Sequence, residues 1–435
     1  MDTSQSPEGE LALPSMGRHD PYAALRFRDF RFLASSTFLA VIAEQMLGVA
    51  LGWELYERTG SPLPLGIIGL VQVVPVLLLA LPAGHLADRF DRRWITAGSL
   101  LLMVLGALAL VQLSLSRGAL ELIYLSVLVI GIGRAFLSPA QGALSAEVVP
   151  AAHYTNAATW SSGLWQVAAV IGPALGGLLI AQLGSAALIY GLNAAMLLVV
   201  ALLTLLLRAR PVAPSDEPVT LGSLLAGLRF VWDTKIVLAS ITLDMFAVLL
   251  GGATALLPVF AKDILQVGAV GLGWMRAAPS IGAVLAALAM AHLPPFKRAG
   301  YTLLVVVAGF GLATVVFGLS RSFALSLLML ALLGALDNIS VVIRSTLLLI
   351  RTPDLMRGRV NAVHYVFIGI SNELGAFESG LAAALLGTVG AVVAGGIGTI
   401  LVVLGVTLVW PEVRRLGSLT EEPEAAPRPL QLKPE

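Results

Sequence analysis

Polar positions along this chain are sparse, and they fall at regular intervals. Between them run apolar stretches of about 20 residues, the length that crosses a bilayer's hydrocarbon core as a helix. Twelve can be marked, near 30–56, 65–86, 94–115, 121–148, 155–182 and 186–207, then near 236–261, 270–292, 300–319, 324–350, 359–386 and 390–410. The longest polar break, RARPVAPSDEPVT from Arg208 to Thr220, divides six from six. The pattern predicts an all-α membrane protein, with twelve transmembrane helices in two six-helix pseudo-repeats at 29–207 and 236–410. Residues 208–235 form a linker on the same side as the termini. Within it LGSLLAGLRFVW (Leu221 to Trp232) reads as an amphipathic helix lying along the membrane surface. Residues 1–28 and 411–435 read as tails, polar enough to be disordered toward their ends. The opening stretch lacks the apolar core of a signal peptide.

Composition agrees with the pattern. Only 12% of the 435 residues are charged, against roughly one quarter in a soluble domain. A net charge of +1 gives no reason to expect a nucleic-acid partner. The lipid bilayer is the expected partner, and the chain is expected to act as a monomer. No cysteine is present, so disulfides and thiolate metal sites are excluded. Five scattered histidines offer no metal centre. There is no Walker-type glycine loop and no nucleophile motif, so neither ATP drive nor enzyme chemistry is expected, and no cofactor.

Lys and Arg of short loops are retained on the cytoplasmic side. One set of helix ends holds Arg26, Arg28, Arg31, Arg89, Arg92, Arg93, Arg208, Arg210, Lys297, Arg298, Arg351, Arg357, Arg359, Arg414 and Arg415. The other holds only Arg58, Arg117, Lys262 and Arg321. Both termini are therefore expected in the cytoplasm, with the chain multi-pass in the cell (inner) membrane.

The halves repeat one another. At an offset of 203 residues Gly131 meets Gly334, Pro150 meets Pro353, Gly172 meets Gly375 and Gly177 meets Gly380. Two parallel six-helix repeats place a binding site near the midplane between them, open to one side at a time.

Two motifs carry a family resemblance. GHLADRFDRR, in the loop between spans 2 and 3, resembles the G-x-x-x-D-R-x-x-R-[RK] signature of the major facilitator superfamily. VIGPALGG in span 5 resembles its antiporter-associated G-P-x-x-G-G motif. YERTGSPLPLGIIGL, ALLPVFAKDIL and RTPDLMRGRVNAV are most similar to the third drug:proton antiporter subfamily, which includes macrolide efflux proteins and enterobactin exporters. Asp91 stands where the superfamily signature often has glycine.

The resemblance implies a gate. Gly84 would let helix 2 approach a neighbour, Asp88 would sit near a helix N-terminus whose dipole favours a carboxylate, and Arg89, Arg92 or Arg93 would bridge to a second acid, with Glu147 the candidate. Such a latch would hold the halves together in the outward-facing state. Gly172, Pro173, Gly176 and Gly177 of the span 5 motif join this gating set.

Eight ionisable residues lie well inside the spans: Glu44, Arg134, Asp244, Arg276, Asp337, Arg344, Glu373 and Glu378. Each costs roughly 2.5–3.5 kcal/mol at a helix centre, so they are expected to face inward. In span 4, Gly131, Arg134, Ser138, Gln141 and Ser145 share one stripe. In span 10, Asp337 is the repeat partner of Arg134, and Arg344 lies two turns further along. Arg134, Ser138, Gln141, Asp337 and Arg344 are the candidate substrate cavity, with Arg134 and Asp337 expected to pair across it. Glu44, Asp244 and Glu378 are the candidate proton or cation sites. In span 11, helical periodicity turns Glu378 toward the cavity or a helix interface and Glu373 to the other side, against another helix.

The expected function is secondary active export of an amphipathic organic solute, drug or siderophore-like, in antiport with protons by alternating access. The alternatives are transport of an anionic organic solute on Arg134 and Arg344, or lysophospholipid flipping.

Overall fold

The computed structural model describes residues 20–208, 221–294, 296–353 and 356–417, apart from the side chains of a few helix residues, Asp88 and Ser145 among them. The expected disordered stretches up to His19 and beyond Gly417, and most of the linker break, lie outside this set.

In hydrocarbon a backbone must satisfy its own polar groups, so each apolar stretch folds as helix. The first six are α1 (Arg28–Thr59), α2 (Leu63–Arg89), α3 (Arg92–Leu115), α4 (Leu120–Glu147), α5 (Tyr154–Leu183) and α6 (Ala186–Leu205). The linker helix is α7 (Leu221–Asp233), whose Gly227 lies against the Arg359 backbone. The second set is α8 (Lys235–Leu250) with α9 (Leu257–Val259), α10 (Gly268–His292), α11 (Ala299–Leu319), α12 (Phe323–Arg351), α13 (Arg357–Leu386) and α14 (Thr388–Val409). Among the described residues, ten segments are long and apolar enough to cross a membrane, with Lys235–Ile264 counted as one. The 27-residue α2 and the 30-residue α13 complete a set consistent with twelve.

Span 7 is not the single helix expected over 236–261. It breaks after Leu250 at Gly251 and Gly252, then continues through a 3-10 turn (Ala253–Leu256), α9 and a π-helical turn (Phe260–Ile264). Adjacent glycines weaken the helix, and Pro258 removes a backbone donor. The C-terminal tail also departs from expectation at its start. Pro411–Arg414 forms a short helix, α15, and the chain folds back onto α11. The amides of Ala299 and Gly300 donate to the carbonyls of Gly417 (3.1 Å) and Leu416 (3.3 Å), closing the start of that helix. A Cβ at Gly300 would lie 1.7 Å from the Val413 carbonyl oxygen, so this docking requires glycine.

The repeat reappears as equivalent contacts. Gly131 packs α4 against Pro75 of α2, and Gly334 packs α12 against Pro279 of α10. Gly172 sets α5 against Ile42 of α1, and Gly375 sets α13 against Val248 and Leu249 of α8. Gly177 crosses Gly273, joining α5 to α10, and Gly380 crosses Gly66, joining α13 to α2. Small residues let helix backbones approach where the lipid provides no hydrophobic drive between helices. The last two crossings join the halves, and both lie toward the face opposite the termini, called here the distal face.

Candidate transport site

Between the halves lies a cavity of about 420 Å³, bordered by Glu44, Gln45 and Gly48 of α1, Gln72 of α2, Arg134 of α4, Thr254 of the span 7 break, Arg276 of α10, and Asn372 and Glu373 of α13. A second cavity of about 430 Å³ shares Glu44 and Arg134 and continues between α1, α4 and α5 past Ser138, Gln141, Thr37 and Ser161. Thr37 and Gln141 lie nearer the helix ends at the face of the termini. The two cavities thus lead from the midplane toward that face.

At the distal face the halves are closed. Besides the glycine crossings, the Tyr56 hydroxyl of α1 donates to the Asp263 carboxylate in the π-turn, and the Lys262 ammonium sits 5.8 Å from the Tyr56 ring centroid. Behind this contact Arg58 pairs with Glu54 and donates to the Leu113, Ser114 and Gly118 carbonyls at the end of α3, while the Tyr190 hydroxyl donates to Glu54 at 2.7 Å. Tyr56 is thereby held on a braced helix end.

Arg134 does not reach Asp337. Its guanidinium pairs with Glu44 at 2.7 Å and donates to the Gln72 side chain at 3.2 Å, all within the first half. The repeat equates the heights of Arg134 and Asp337 but not their rotation about the helices. Asp337 instead borders a narrow crevice among α8, α11 and α12, beside Asp244. Asp244 pairs with Arg344, and both side chains are buried. Neither Arg344 nor Asp337 borders the midplane cavity. Ser138 and Gln141 do line the vestibule, as their stripe implied.

On α13 it is Glu373, expected to pack against another helix, that reaches the cavity. Glu373 borders the midplane cavity, and Glu378 does not; it accepts a long hydrogen bond (3.5 Å) from neighbouring Ser379. The polar stripe that includes Gly375 and Ser379 packs on α8 and on Gly252. Its small residues mark a tight helix crossing, not a wet wall. Arg276 and Glu373 are cavity residues that periodicity left out. The available signal was that both are ionisable in mid-span.

In the loop between α2 and α3, Arg92 pairs with Glu147 and donates to the Ala87 carbonyl (3.2 Å). Arg93 pairs with Asp91 at 2.7 Å and donates to the Leu207 carbonyl at 2.6 Å. These partners belong to the first half, so the described ties of Arg92 and Arg93 run among α2, α3, α4 and α6, while the Asp88 side chain, on which the expected latch depends, lies outside the described residues. Arg89 is exposed and a Cβ on Gly84 would meet nothing within 4 Å, so the close approach expected of that glycine is not made here. Asp91 caps α3 by accepting from the Arg93 amide at 2.9 Å, with φ of −58°, a conformation that needs no glycine. The span 5 motif has two faces. Gly172 and Gly176 pack on α1, and Gly177 on α10.

Two six-helix halves joined at one face around a charged midplane cavity define a membrane transporter of the major facilitator type. The chain belongs to the transmembrane secretion effector family, whose profile matches residues 19–432. Among curated proteins it resembles the enterobactin exporter EntS of Shigella boydii and of Escherichia coli, each 28% identical over 392 residues, 89% of this chain and 92% of the relative. Among solved structures, the nucleoside transporter NupG superposes with a TM-score of 0.71 at 12% identity, over 88% of this chain and 100% of the other. A bacterial homologue of the human lysosomal transporter Spinster, in an inward-facing and unoccupied conformation, gives 0.64 at 15% identity, over 92% and 96%. These two likenesses establish the fold.

Proposed function

We propose that the protein is a secondary active exporter that exchanges an amphipathic organic solute for protons, with both termini cytoplasmic. In that orientation the distal face is outward and closed, and the solute enters through the vestibule from the cytoplasm. The observation that carries the reading is the Glu44–Arg134 pair, which borders both cavities and is open to their contents. A carboxylate that is both reachable by water and held by one arginine can exchange its partner for a proton. Resemblance to enterobactin exporters supports outward movement of a siderophore- or drug-like molecule. Breaking the distal contacts and rocking the halves about the midplane site would expose the same cavity to the other side.

Proteoliposomes test this. Export of the amphipathic acid carboxyfluorescein should accelerate when an inward proton gradient is imposed and should collapse when a protonophore removes it. Dye movement indifferent to the gradient would rule out proton exchange.

A further inference from the structure

Arg276 is a cavity cation left without an answering group. Arg134 is neutralised by Glu44 and Arg344 by Asp244. No hydrogen bond or ion pair from a described residue reaches Arg276, and its Nε is sealed from solvent with no acceptor. A guanidinium drawn out of bulk water and left without acceptors is strongly disfavoured. It persists here at the wall of a cavity whose contents change during transport.

The sequence of α1 makes room for it. Gly48 and Gly52, one turn apart, present no side chain toward α10. A Cβ at Gly48 would lie 2.8 Å from Nη1 of Arg276, and one at Gly52 would lie 3.4 Å from Nη2. The guanidinium therefore reaches across the interface between the halves and rests over two bare turns of backbone. Its planar fork suits the paired oxygens of a carboxylate or phosphate. The acids of the cavity do not fill this role, since Glu44 is held by Arg134 and Glu373 forms no ion pair with Arg276. Apolar side chains of the same cavity, Leu47, Leu51 and Ile68, offer a surface for a hydrophobic body.

We propose that the transported solute is an organic acid, its carboxylate or comparable oxyanion docking on Arg276 in the cradle of Gly48 and Gly52. This rests on the reading of the midplane cavity as the transport site. The cradle is built from both halves, so parting α1 from α10 at the distal face would dismantle the anion site and release the acid.

The test is binding of carboxyfluorescein to the whole protein in lipid nanodiscs, followed by fluorescence polarisation. Binding should saturate, and 1-naphthoate should displace the dye at least about tenfold better than the matched neutral 1-naphthamide. Arg276→Gln should weaken binding by about tenfold or more, Arg276→Lys by less. Gly48→Ala, which crowds Nη1 with the arginine still present, should also weaken it. Equal displacement by naphthoate and naphthamide, unchanged binding in Arg276→Gln, or no saturable binding by the wild type would each overturn the proposal. If Arg276→Gln fails to fold, the naphthoate–naphthamide comparison on the wild type still decides. Displacement by inorganic phosphate as effective as by naphthoate would reveal a bare anion site and overturn the organic-acid assignment. A naphthoate preference that survives while no gradient-driven dye export occurs would defeat the exporter reading and leave this site standing.

Discussion

Glu44 and Arg134 meet at 2.7 Å from two helices of the same half, at the point where the midplane cavity opens into its vestibule. Each side chain is partly exposed, so the pair adds little to stability, about 1 kcal/mol or less. Glu44→Gln should leave the thermal midpoint nearly unchanged yet uncouple dye export from the proton gradient. Gradient-dependent export at the wild-type rate would assign coupling to another acid.

The Asp244–Arg344 pair should behave in the opposite way, because both groups are buried. Asp244→Ala strands a cation in the bundle and should destabilise by about 3–5 kcal/mol. Replacing both, with Asp244→Leu and Arg344→Met, should recover most of that loss. Unfolding of the three variants in denaturing detergent measures it, and a double mutant no better than the single would show that the cost lies in packing.

Tyr56→Phe removes the hydroxyl that donates to Asp263 across the distal contact. A hydrogen bond to a charged group is worth about 1.5–3 kcal/mol, so the distally open population should rise by roughly tenfold or more. The native chain has no cysteine, so one introduced at Leu65, which borders the cavity, reports opening without background. Its labelling by a membrane-impermeant maleimide from the distal side should quicken in proportion.

Gly177→Ala should act in the same direction, because the added Cβ would sit 2.3 Å from the Ala269 carbonyl oxygen and 2.9 Å from Gly273. The same Leu65 reporter applies. Gly163→Ala, with nothing within 4 Å of the new methyl group, is the matched control on the same helix.

Asp91 provides a pH signature outside the spans. Hydrogen bonding from Arg93 holds its carboxyl below the usual carboxylate range. A group whose folded value is depressed adds stability above its unfolded value, near 3.9, and loses that contribution as pH falls through the folded one. Asp91→Ala should therefore cost about 1 kcal/mol as a lost helix cap at neutral pH. The gap from wild type should close as Asp91 becomes protonated in acid, when melting curves are compared across pH.

Much of the architecture is legible in the sequence because a bilayer leaves few alternatives. Run length fixed the helices, and glycines at one offset marked crossings that prove equivalent in the two halves. The break at Gly251 and Gly252 leaves no mark on hydropathy, which continues through it. Charge partners were harder to read. Periodicity places a residue on a face of its own helix but does not say which neighbour that face meets. Arg134 was therefore matched with Asp337 by height, when α1 lies closer. For Glu378 periodicity leaves cavity and helix interface both open, and only packing shows that Gly375 and Ser379 on its stripe mark a close helix contact. Of the three arginines expected to reach Glu147, Arg92 does so, as a tie within one half.

The fold-back of Leu416 and Gly417 onto Ala299 and Gly300 has a bearing on biogenesis. Two amides at the start of α11 take their acceptors from residues more than 110 positions downstream. Those bonds can form only after Leu416 and Gly417 have been made and have left the ribosome. The second half therefore cannot reach its finished packing while it is being inserted, and the last residues of the described chain act as the closing step of assembly.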